Sequence, residues 1–273
     1  MTASYAAGMR GAIVHETIPS LDGVPVAFEA RGAGTTALVF VHGWSCDRRY
    51  WERQIAAFAD RHRVVAIDLA GHGESGTGRA DWTMPAFGAD VAAVCDHLGL
   101  DDLVLVGHSM GGDVIVEAAR RLRGRVRGLV WLDTYRSLGG PRATAEEFDA
   151  FVAPFVTDFP AAARAFVRTM FRDGIDPELV EWVVEDMASA PPDIAVGSMR
   201  HAMTFEPQAC AGLLELELPA VAINPDDRPT DAGSLRRHGM ETIVMENSSH
   251  FLHLEDPARF NRLLEEALAS FAR

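Results

Sequence analysis

The pentapeptide Gly107-His108-Ser109-Met110-Gly111 holds the residue best suited to covalent chemistry. It follows an apolar run at residues 103–106 and precedes a helical run at residues 112–122. A serine in a sharp strand-to-helix turn presents its hydroxyl above the end of the strand, and the turn needs small residues two positions away on either side. The N–H of the next residue, at the start of the helix, can stabilise a developing oxyanion. We therefore predict Ser109 as a nucleophile and Met110 as an oxyanion donor.

His250 is the best-placed base for this serine. A serine hydroxyl is a weak nucleophile at neutral pH, and enzymes most often activate it with a histidine that a carboxylate holds. His250 follows the last predicted strand, in Ser248-Ser249-His250-Phe251, on a loop that we expect at the same sheet edge as Ser109. Among the ten histidines, His253 is a weaker candidate for this role.

A second oxyanion donor is expected in the loop Val41-His42-Gly43-Trp44, after the first strand of the predicted central sheet. Gly43 allows a close approach of the backbone, so the Trp44 N–H can point to the same place as the Met110 N–H. Each such donor typically stabilises a transition state by about 2.7–4 kcal/mol. We predict an oxyanion hole formed by Trp44 and Met110, with three residues bordering the substrate: His42, Gly43 and His108.

Charge and hydropathy narrow the classes of partner. The 273 residues carry a formal net charge of −14, which disfavours nucleic acids and anionic membranes and favours a neutral or cationic small molecule. No apolar stretch has the length of a signal peptide or a membrane span, so a cytoplasmic protein is expected. Oligomeric state is not predicted.

The cysteines and histidines do not have the spacing of a metal site. Cys46, Cys95 and Cys210 are widely separated, which predicts free thiols. No cluster of His, Cys or carboxylate residues has ligand spacing. We therefore expect neither a metal nor a cofactor.

The hydrophobic pattern predicts a hairpin followed by alternating strands and helices. The hairpin strands are expected at residues 12–16 and 24–29, later strands at 37–41, 63–67, 103–106, 128–132, 220–223 and 242–245, and helices at 50–59, 84–98, 112–122 and 257–271. Apolar strands joined by helical crossovers indicate an α/β protein with a mostly parallel sheet covered on both faces. Helical patterns at 146–155, 161–171 and 178–188 indicate an inserted cap. We expect a core of residues 1–133 and 217–273 and a helical cap of residues 134–216.

Four motifs together resemble those of the α/β-hydrolase superfamily: His42-Gly43-Trp44, Asp68-Leu69-Ala70-Gly71-His72-Gly73-Glu74-Ser75, residues 107–112, and Ser249-His250-Phe251. They occur in the family's order and spacing, and the resemblance covers nearly all of the chain. It implies the α/β-hydrolase fold, a mostly parallel central sheet flanked by helices, with a cap between the sixth and seventh strands. It also implies that Asp68 and Ser75 fix a loop beside the site. The chain looks most like bacterial ester and lactone hydrolases with a helical cap.

The carboxylate partner of His250 is where the chain departs from the family's pattern. The family usually places this acid in a Gly-x-x-Asp turn after the seventh strand, where this chain has Asn224-Pro225-Asp226-Asp227. Some haloalkane dehalogenases of the superfamily place it at the end of the sixth strand, and Asp133 occupies that position, 24 residues after Ser109. Asp133 is our first prediction for the acid, with Asp227 and Asp226 as alternatives.

A serine at the nucleophile position predicts acyl transfer to water, because the dehalogenases and epoxide hydrolases of this superfamily use an aspartate there. We expect a serine hydrolase that cleaves a carboxylic ester or lactone of a small, moderately apolar molecule through an acyl-enzyme on Ser109. Two alternatives share the triad: a cofactor-free perhydrolase (haloperoxidase), whose pattern commonly has proline where this chain has Ser45, and a C–C bond hydrolase. A third, from another class, is a small-molecule receptor with little turnover.

Overall fold

The computed structural model describes residues 13–140 and 143–271. Within these residues eight strands form one sheet: β1 (Val14–Pro19), β2 (Pro25–Arg31), β3 (Ala37–Val41), β4 (Arg63–Ile67), β5 (Leu103–His108), β6 (Val126–Leu132), β7 (Ala220–Pro225) and β8 (Met240–Met245). Their order in the sheet is β1-β2-β4-β3-β5-β6-β7-β8. The predicted hairpin is confirmed, since β1 pairs antiparallel with β2; its predicted first residue, Ala12, lies outside the described residues. β2 pairs antiparallel with β4, and the remaining pairs are parallel.

A 3₁₀ turn (Arg48–Trp51) and eleven helices connect and cover the strands in the described part of the chain. They are α1 (Glu52–Phe58), α2 (Met84–His97), α3 (Met110–Arg121), α4 (Ala145–Thr157), α5 (Phe159–Arg168), α6 (Pro177–Ala188), α7 (Pro192–Ala202), α8 (Glu206–Leu216), α9 (Ala232–Arg237), α10 (Leu252–Glu255) and α11 (Pro257–Ser270). The two short helices α9 and α10 were not predicted, because one or two turns leave no periodic apolar stripe to detect. No described helix combines the length and apolarity needed to cross a membrane.

The sheet separates two hydrophobic layers because successive side chains of a strand point to opposite faces. In β5, Leu103 and Leu105 pack into the layer that includes α2 and α3. Val104 and Val106 pack into the other layer, with α1 and α11. All four side chains are buried, which explains why the strand is apolar throughout. Both layers hold the carboxyl end of β5 in a fixed position, and Ser109 follows directly after it.

Five helices, α4 to α8, lie between β6 and β7. The last of them packs against the core helix α3: a side chain at Gly212 of α8 would lie 2.4 Å from Val116 Cγ1, and Glu215 forms ion pairs with Arg120 and Arg123. The helices α4 to α7 and the segments next to them supply the residues that cover Ser109.

Candidate active site

Ser109 occupies a strained turn between β5 and α3. Its backbone has φ 52° and ψ −121°, in the left-handed half of φ space that residues with a side chain seldom adopt. A Cβ at Gly107 would lie 2.3 Å from the Gly111 carbonyl oxygen, and a Cβ at Gly111 would lie 2.4 Å from the Val41 carbonyl oxygen. Both distances are too short for any side chain, so glycine is required on both sides of the serine, as the sequence predicted.

The loop after β3 runs against this turn. A Cβ at Gly43 would lie 3.2 Å from Ser109 Cβ and 3.0 Å from His108 Nδ1, so the backbone there passes beside the serine. The backbone N–H groups of Trp44 and Met110 donate to no acceptor among the described residues. The Trp44 indole extends into the helices above the site, where Nε1 donates to the Ala195 carbonyl at 2.8 Å.

His250 and Asp133 form a close pair. His250 Nδ1 lies 2.7 Å from Asp133 Oδ2, and the aspartate side chain is only 5% exposed. Asp133 directly follows β6, with φ 40°, and its N–H donates to the Ile223 carbonyl at 3.1 Å. The end of β6 therefore brings this carboxylate to the loop that carries His250.

Arg136 holds the second oxygen of the same carboxylate. Its Nε donates to Asp133 Oδ1 at 2.6 Å, and its Nη1 donates to two backbone carbonyls, those of Pro225 and Arg228. Burial by itself raises the pKa of the Asp133 carboxyl, but the hydrogen bond from His250 and the arginine charge together hold it below its ordinary value. Asp133 is therefore ionised at neutral pH. The sequence reasoning did not predict this role for Arg136.

The two alternative acids do not contact His250. Asp227 Oδ1 accepts from Arg136 Nη2 at 2.6 Å. Asp226 Oδ1 accepts from Arg172 Nη1 and from the Ser248 N–H, both at 3.3 Å. Both residues are exposed, and the structure brings Asp133 to His250 in their place.

Glu255 fixes the backbone on both sides of His250. Its Oε2 accepts from the Ser249 N–H at 2.8 Å, and its Oε1 accepts from the Ser249 hydroxyl at 2.6 Å and from the Phe251 N–H at 3.2 Å. The N–H of His250 itself donates to the Met170 carbonyl, after α5, at 3.2 Å. The histidine loop is thus tied to α10 and to the helical segment above the site.

The other nearby histidines are buried and neutral. His108 Nε2 donates to the His250 carbonyl at 2.9 Å, and burial lowers the pKa of His108 well below its ordinary value. His253 is also buried, and burial lowers its pKa to about 3. A general base must be able to hold the proton that it accepts, and burial makes both of these rings poor proton acceptors. This favours His250 as the base.

The predicted contact of His42 with substrate is not what the structure shows. His42 Nε2 accepts from the Leu69 N–H at 3.0 Å, so Nδ1 carries the proton that it donates to the Gly43 carbonyl at 2.8 Å. Burial lowers the pKa of His42 to about 4. With both ring nitrogens engaged, His42 shapes the loop before Trp44 and does not line the cavity, whereas Gly43 and His108 do.

The loop after β4 has the fixing role that the resemblance implied. The Asp68 carboxylate accepts from the Arg48 N–H at 2.7 Å and the Glu74 N–H at 2.9 Å. The Ser75 hydroxyl donates to the Asp68 carbonyl at 2.6 Å and accepts from the Ala27 N–H at 2.8 Å. These bonds use the polar groups of the loop within the fold, so neither residue is available for chemistry.

A cavity of about 710 Å³ lies above Ser109. Its wall is mostly apolar, and its polar residues include Asp113, Thr134, Tyr135, Arg136, Thr169 and Arg228. Asp113 and Tyr135 were not predicted from the sequence. A signal was present for Asp113, which follows Ser109 by one helical turn, but Tyr135 is placed only by the path of the chain after β6. No group of three or more metal-ligating side chains lies together among the described residues.

A mostly parallel sheet with a serine on the turn after β5, and a histidine–aspartate pair at the same edge, defines the α/β-hydrolase class. A family model described as the alpha/beta hydrolase family matches residues 38–263. The chain belongs to this family, and its class is that of the hydrolases.

The relatives of the chain include enzymes that match over nearly its whole length. It is 26% identical to 3-oxoadipate enol-lactonase 2 of Acinetobacter baylyi over 88% of this chain and 91% of that protein. It is 34% identical to the dihydrolipoyllysine-residue acetyltransferase component of the acetoin cleaving system of Cupriavidus necator, over 41% of this chain but only 30% of that protein. Among solved structures, a thermophilic esterase from Thermogutta terrifontis has a TM-score of 0.80 at 27% identity, covering 95% of this chain and 100% of that one.

Proposed function

We propose that the chain hydrolyses a carboxylic ester or lactone of a small, moderately apolar molecule, with Ser109 as nucleophile, His250 as base and Asp133 as acid. The observation that carries the proposal is the 2.7 Å pair between His250 Nδ1 and Asp133 Oδ2, in the same cavity as a serine on a strained turn. The similarity to an esterase and to an enol-lactonase supports the choice of bond.

In the proposed acylation, Ser109 Oγ attacks the carbonyl carbon while His250 takes the hydroxyl proton. Asp133 accepts from Nδ1, which keeps that nitrogen protonated and leaves Nε2 as the proton acceptor. The N–H groups of Trp44 and Met110 stabilise the oxyanion of the tetrahedral intermediate. The intermediate collapses when the C–O bond to the alcohol breaks and His250 returns its proton to the departing oxygen.

Deacylation repeats the same steps with water. His250 takes a proton from water, the resulting hydroxide attacks the ester carbonyl on Ser109, and the second tetrahedral intermediate releases the free acid and the serine. Arg136 is a positioning residue here, since its hydrogen bond and charge act with His250 to keep Asp133 ionised. The ionised carboxylate can then stabilise the imidazolium that forms twice in each cycle.

The shape of the cavity supports an uncharged substrate of modest size. The cavity is lined by five methionines and several aromatic side chains. They include Met110, Met170, Met187, Met199, Met203, Trp44, Phe151, Phe166 and Phe251. Methionine side chains adapt to irregular apolar shapes. We also propose that α4 to α7 act as the cap over the site. A small-molecule partner and a cytoplasmic location stay predictions from the sequence.

Ser45 argues against the perhydrolase alternative. The chain is 34% identical to a non-heme haloperoxidase of Rhodococcus erythropolis, over 52% of this chain and 54% of that protein. The perhydrolase pattern commonly has proline after the tryptophan, and Ser45 has φ 55°. A proline ring fixes φ near −65°, so the loop that positions the Trp44 N–H has a conformation that a proline there would not adopt.

Steady-state kinetics on p-nitrophenyl butyrate and on a set of small lactones tests the proposal. We expect saturable turnover by the wild type, and a fall of at least about 10³-fold in kcat for Ser109→Ala. Ser189→Ala, at an exposed serine after α6 that is outside the cavity lining, is the matched control and should keep wild-type kinetics. If the wild type binds these compounds saturably but hydrolyses none of them, the protein is a receptor on a hydrolase scaffold.

A further inference from the structure

The cavity contains a second polar region, one helical turn beyond the serine. Asp113 lies on α3 and lines the same cavity as Ser109. Residues four apart share a face of a helix, and a rise of 1.5 Å per residue places Asp113 about 6 Å along the axis from Ser109. A single small substrate with its carbonyl at Ser109 therefore reaches Asp113 as well.

The Asp113 carboxyl is buried and only partly satisfied. The residue is 3% exposed. Its Oδ2 accepts from the Tyr135 hydroxyl at 3.4 Å, whereas Oδ1 has no hydrogen-bond partner among the described residues. Buried polar atoms nearly always have a partner, so an unpartnered carboxyl oxygen on a residue that lines the cavity points to a ligand group that binds this carboxyl.

Asp113 differs from Asp133 in having no cation beside it. Asp133 contacts Arg136 and His250, whereas the one charged group that acts on Asp113 among the described residues is Glu206, which is negative. Burial raises the pKa of the Asp113 carboxyl well above its ordinary value, and the nearby negative charge of Glu206 raises it further. Burial thus favours the neutral acid, which has one O–H donor and free acceptor positions.

We propose that Asp113 and Tyr135 form a polar subsite that binds a hydroxyl group of the substrate, so that the preferred substrates are uncharged, hydroxyl-bearing esters or lactones. A neutral carboxyl and a phenol each donate and accept, and a hydroxyl does the same. The inference rests on the proposed function, because the subsite is defined by its distance from Ser109 as the nucleophile. Much of the remaining wall is apolar, so hydrogen bonds to this pair fix the orientation of the bound substrate.

The subsite also predicts opposite effects on stability and on specificity. Replacing a buried acid that has one unpartnered oxygen with an apolar side chain of similar size removes a polar atom that folding leaves unsatisfied. Asp113→Leu is therefore expected to raise Tm. If Asp113 had only a structural role, Asp113→Leu would lower Tm. The substrate preference of the variant would then be the same as that of the wild type.

The experiment measures kcat/KM on pairs of p-nitrophenyl esters. Each pair consists of an ω-hydroxyalkanoate, with four to eight carbons, and the alkanoate in which a methyl group replaces the hydroxyl. A second set of alkyl butyrates carries the hydroxyl on the alcohol side, and its hydrolysis is followed by release of butyric acid. For the best pair, Asp113→Leu should lower the hydroxyl-to-methyl ratio of kcat/KM about tenfold to a hundredfold, as expected for one buried hydrogen-bonding site. Tyr135→Phe should lower it about threefold to tenfold.

Two further variants keep the result interpretable. Asp113→Asn preserves a donor and an acceptor, so its ratio should stay within about threefold of the wild type. Thr169→Val changes another polar residue of the wall to an apolar one of similar shape and should leave the ratio unchanged. A ratio that is the same in Asp113→Leu as in the wild type, with both esters still hydrolysed, overturns the subsite alone. The absence of turnover on every ester by the wild type overturns the proposed function and the subsite with it.

Discussion

Asp133→Asn is the substitution with the most specific expected outcome, because Arg136 decides which way the new amide faces. Arg136 Nε donates to Asp133 Oδ1 at 2.6 Å, and an arginine has donors only. The oxygen of the new amide must therefore face Arg136, which turns the NH₂ group toward His250 Nδ1. That nitrogen then has to accept, so the proton moves to Nε2, where the base needs a lone pair.

The expected loss follows from this tautomer. In the serine protease triad, the same change of aspartate to asparagine lowers kcat about 10⁴-fold with little change in geometry. We expect kcat/KM on p-nitrophenyl butyrate to fall about 10³- to 10⁴-fold, equivalent to about 4–5.5 kcal/mol of transition-state stabilisation. The change in Tm should be small in comparison with this loss, since the side-chain volume is unchanged.

Asp227→Asn is the matched control for this substitution. Asp227 also contacts Arg136, at 2.6 Å, but it is exposed and does not contact His250. Its kcat/KM should stay within about fivefold of the wild type, as for most exposed ion pairs. Adding Arg136→Met to Asp133→Asn should restore part of the activity, because the amide is then free to turn its oxygen to Nδ1. Equal losses in Asp227→Asn and Asp133→Asn would refute the assignment of the acid.

Two other substitutions test the electrostatics and the turn. Arg136→Met should raise the pKa of Asp133, because the arginine acts with His250 to hold this pKa low against the effect of burial. The stability that the ionised carboxylate contributes is present above its ordinary pKa and is lost as the pH falls through its folded pKa. The variant should therefore lose Tm on acidification from a higher pH than the wild type, and superimposable profiles of Tm against pH would contradict this. Gly111→Ala should cost about 2–3 kcal/mol, because its Cβ would lie 2.4 Å from the Val41 carbonyl oxygen. Thermal unfolding should show a Tm lower by about 4–12 °C, while Gly78→Ala, whose Cβ meets nothing within 4 Å, serves as the control.

Local patterns in the sequence were sufficient to predict the sheet and the serine turn. A strand that is apolar throughout must be buried on both faces, and glycines on both sides of Ser109 allow the sharp turn at the end of β5. The pairing of Asp133 with His250 at 2.7 Å was anticipated from the resemblance to superfamily members that place the acid at the end of the sixth strand. His250 was proposed from its place on the loop after the last strand, and the catalytic roles of both residues stay predictions.

The rest of the site depends on contacts between distant segments. His42 was expected to border the substrate, but its ring is held by the Leu69 N–H from the next loop, and no pattern near His42 shows that. Arg136 and Tyr135 follow β6 on an irregular segment that hydrogen bonds hold to the end of β7. Side chains on such segments have no periodicity, so the sequence alone does not place them.

The activation of Ser109 is the central claim, and intact mass after incubation with a fluorophosphonate tests it most directly. This reagent bonds to a serine oxygen that a neighbouring base has activated, so the wild type should gain the mass of a single adduct. Ser109→Ala should gain none, and Asp133→Asn should label far more slowly than Asp227→Asn. A folded wild type that stays unlabelled, or an equal adduct on Ser109→Ala, would contradict the account.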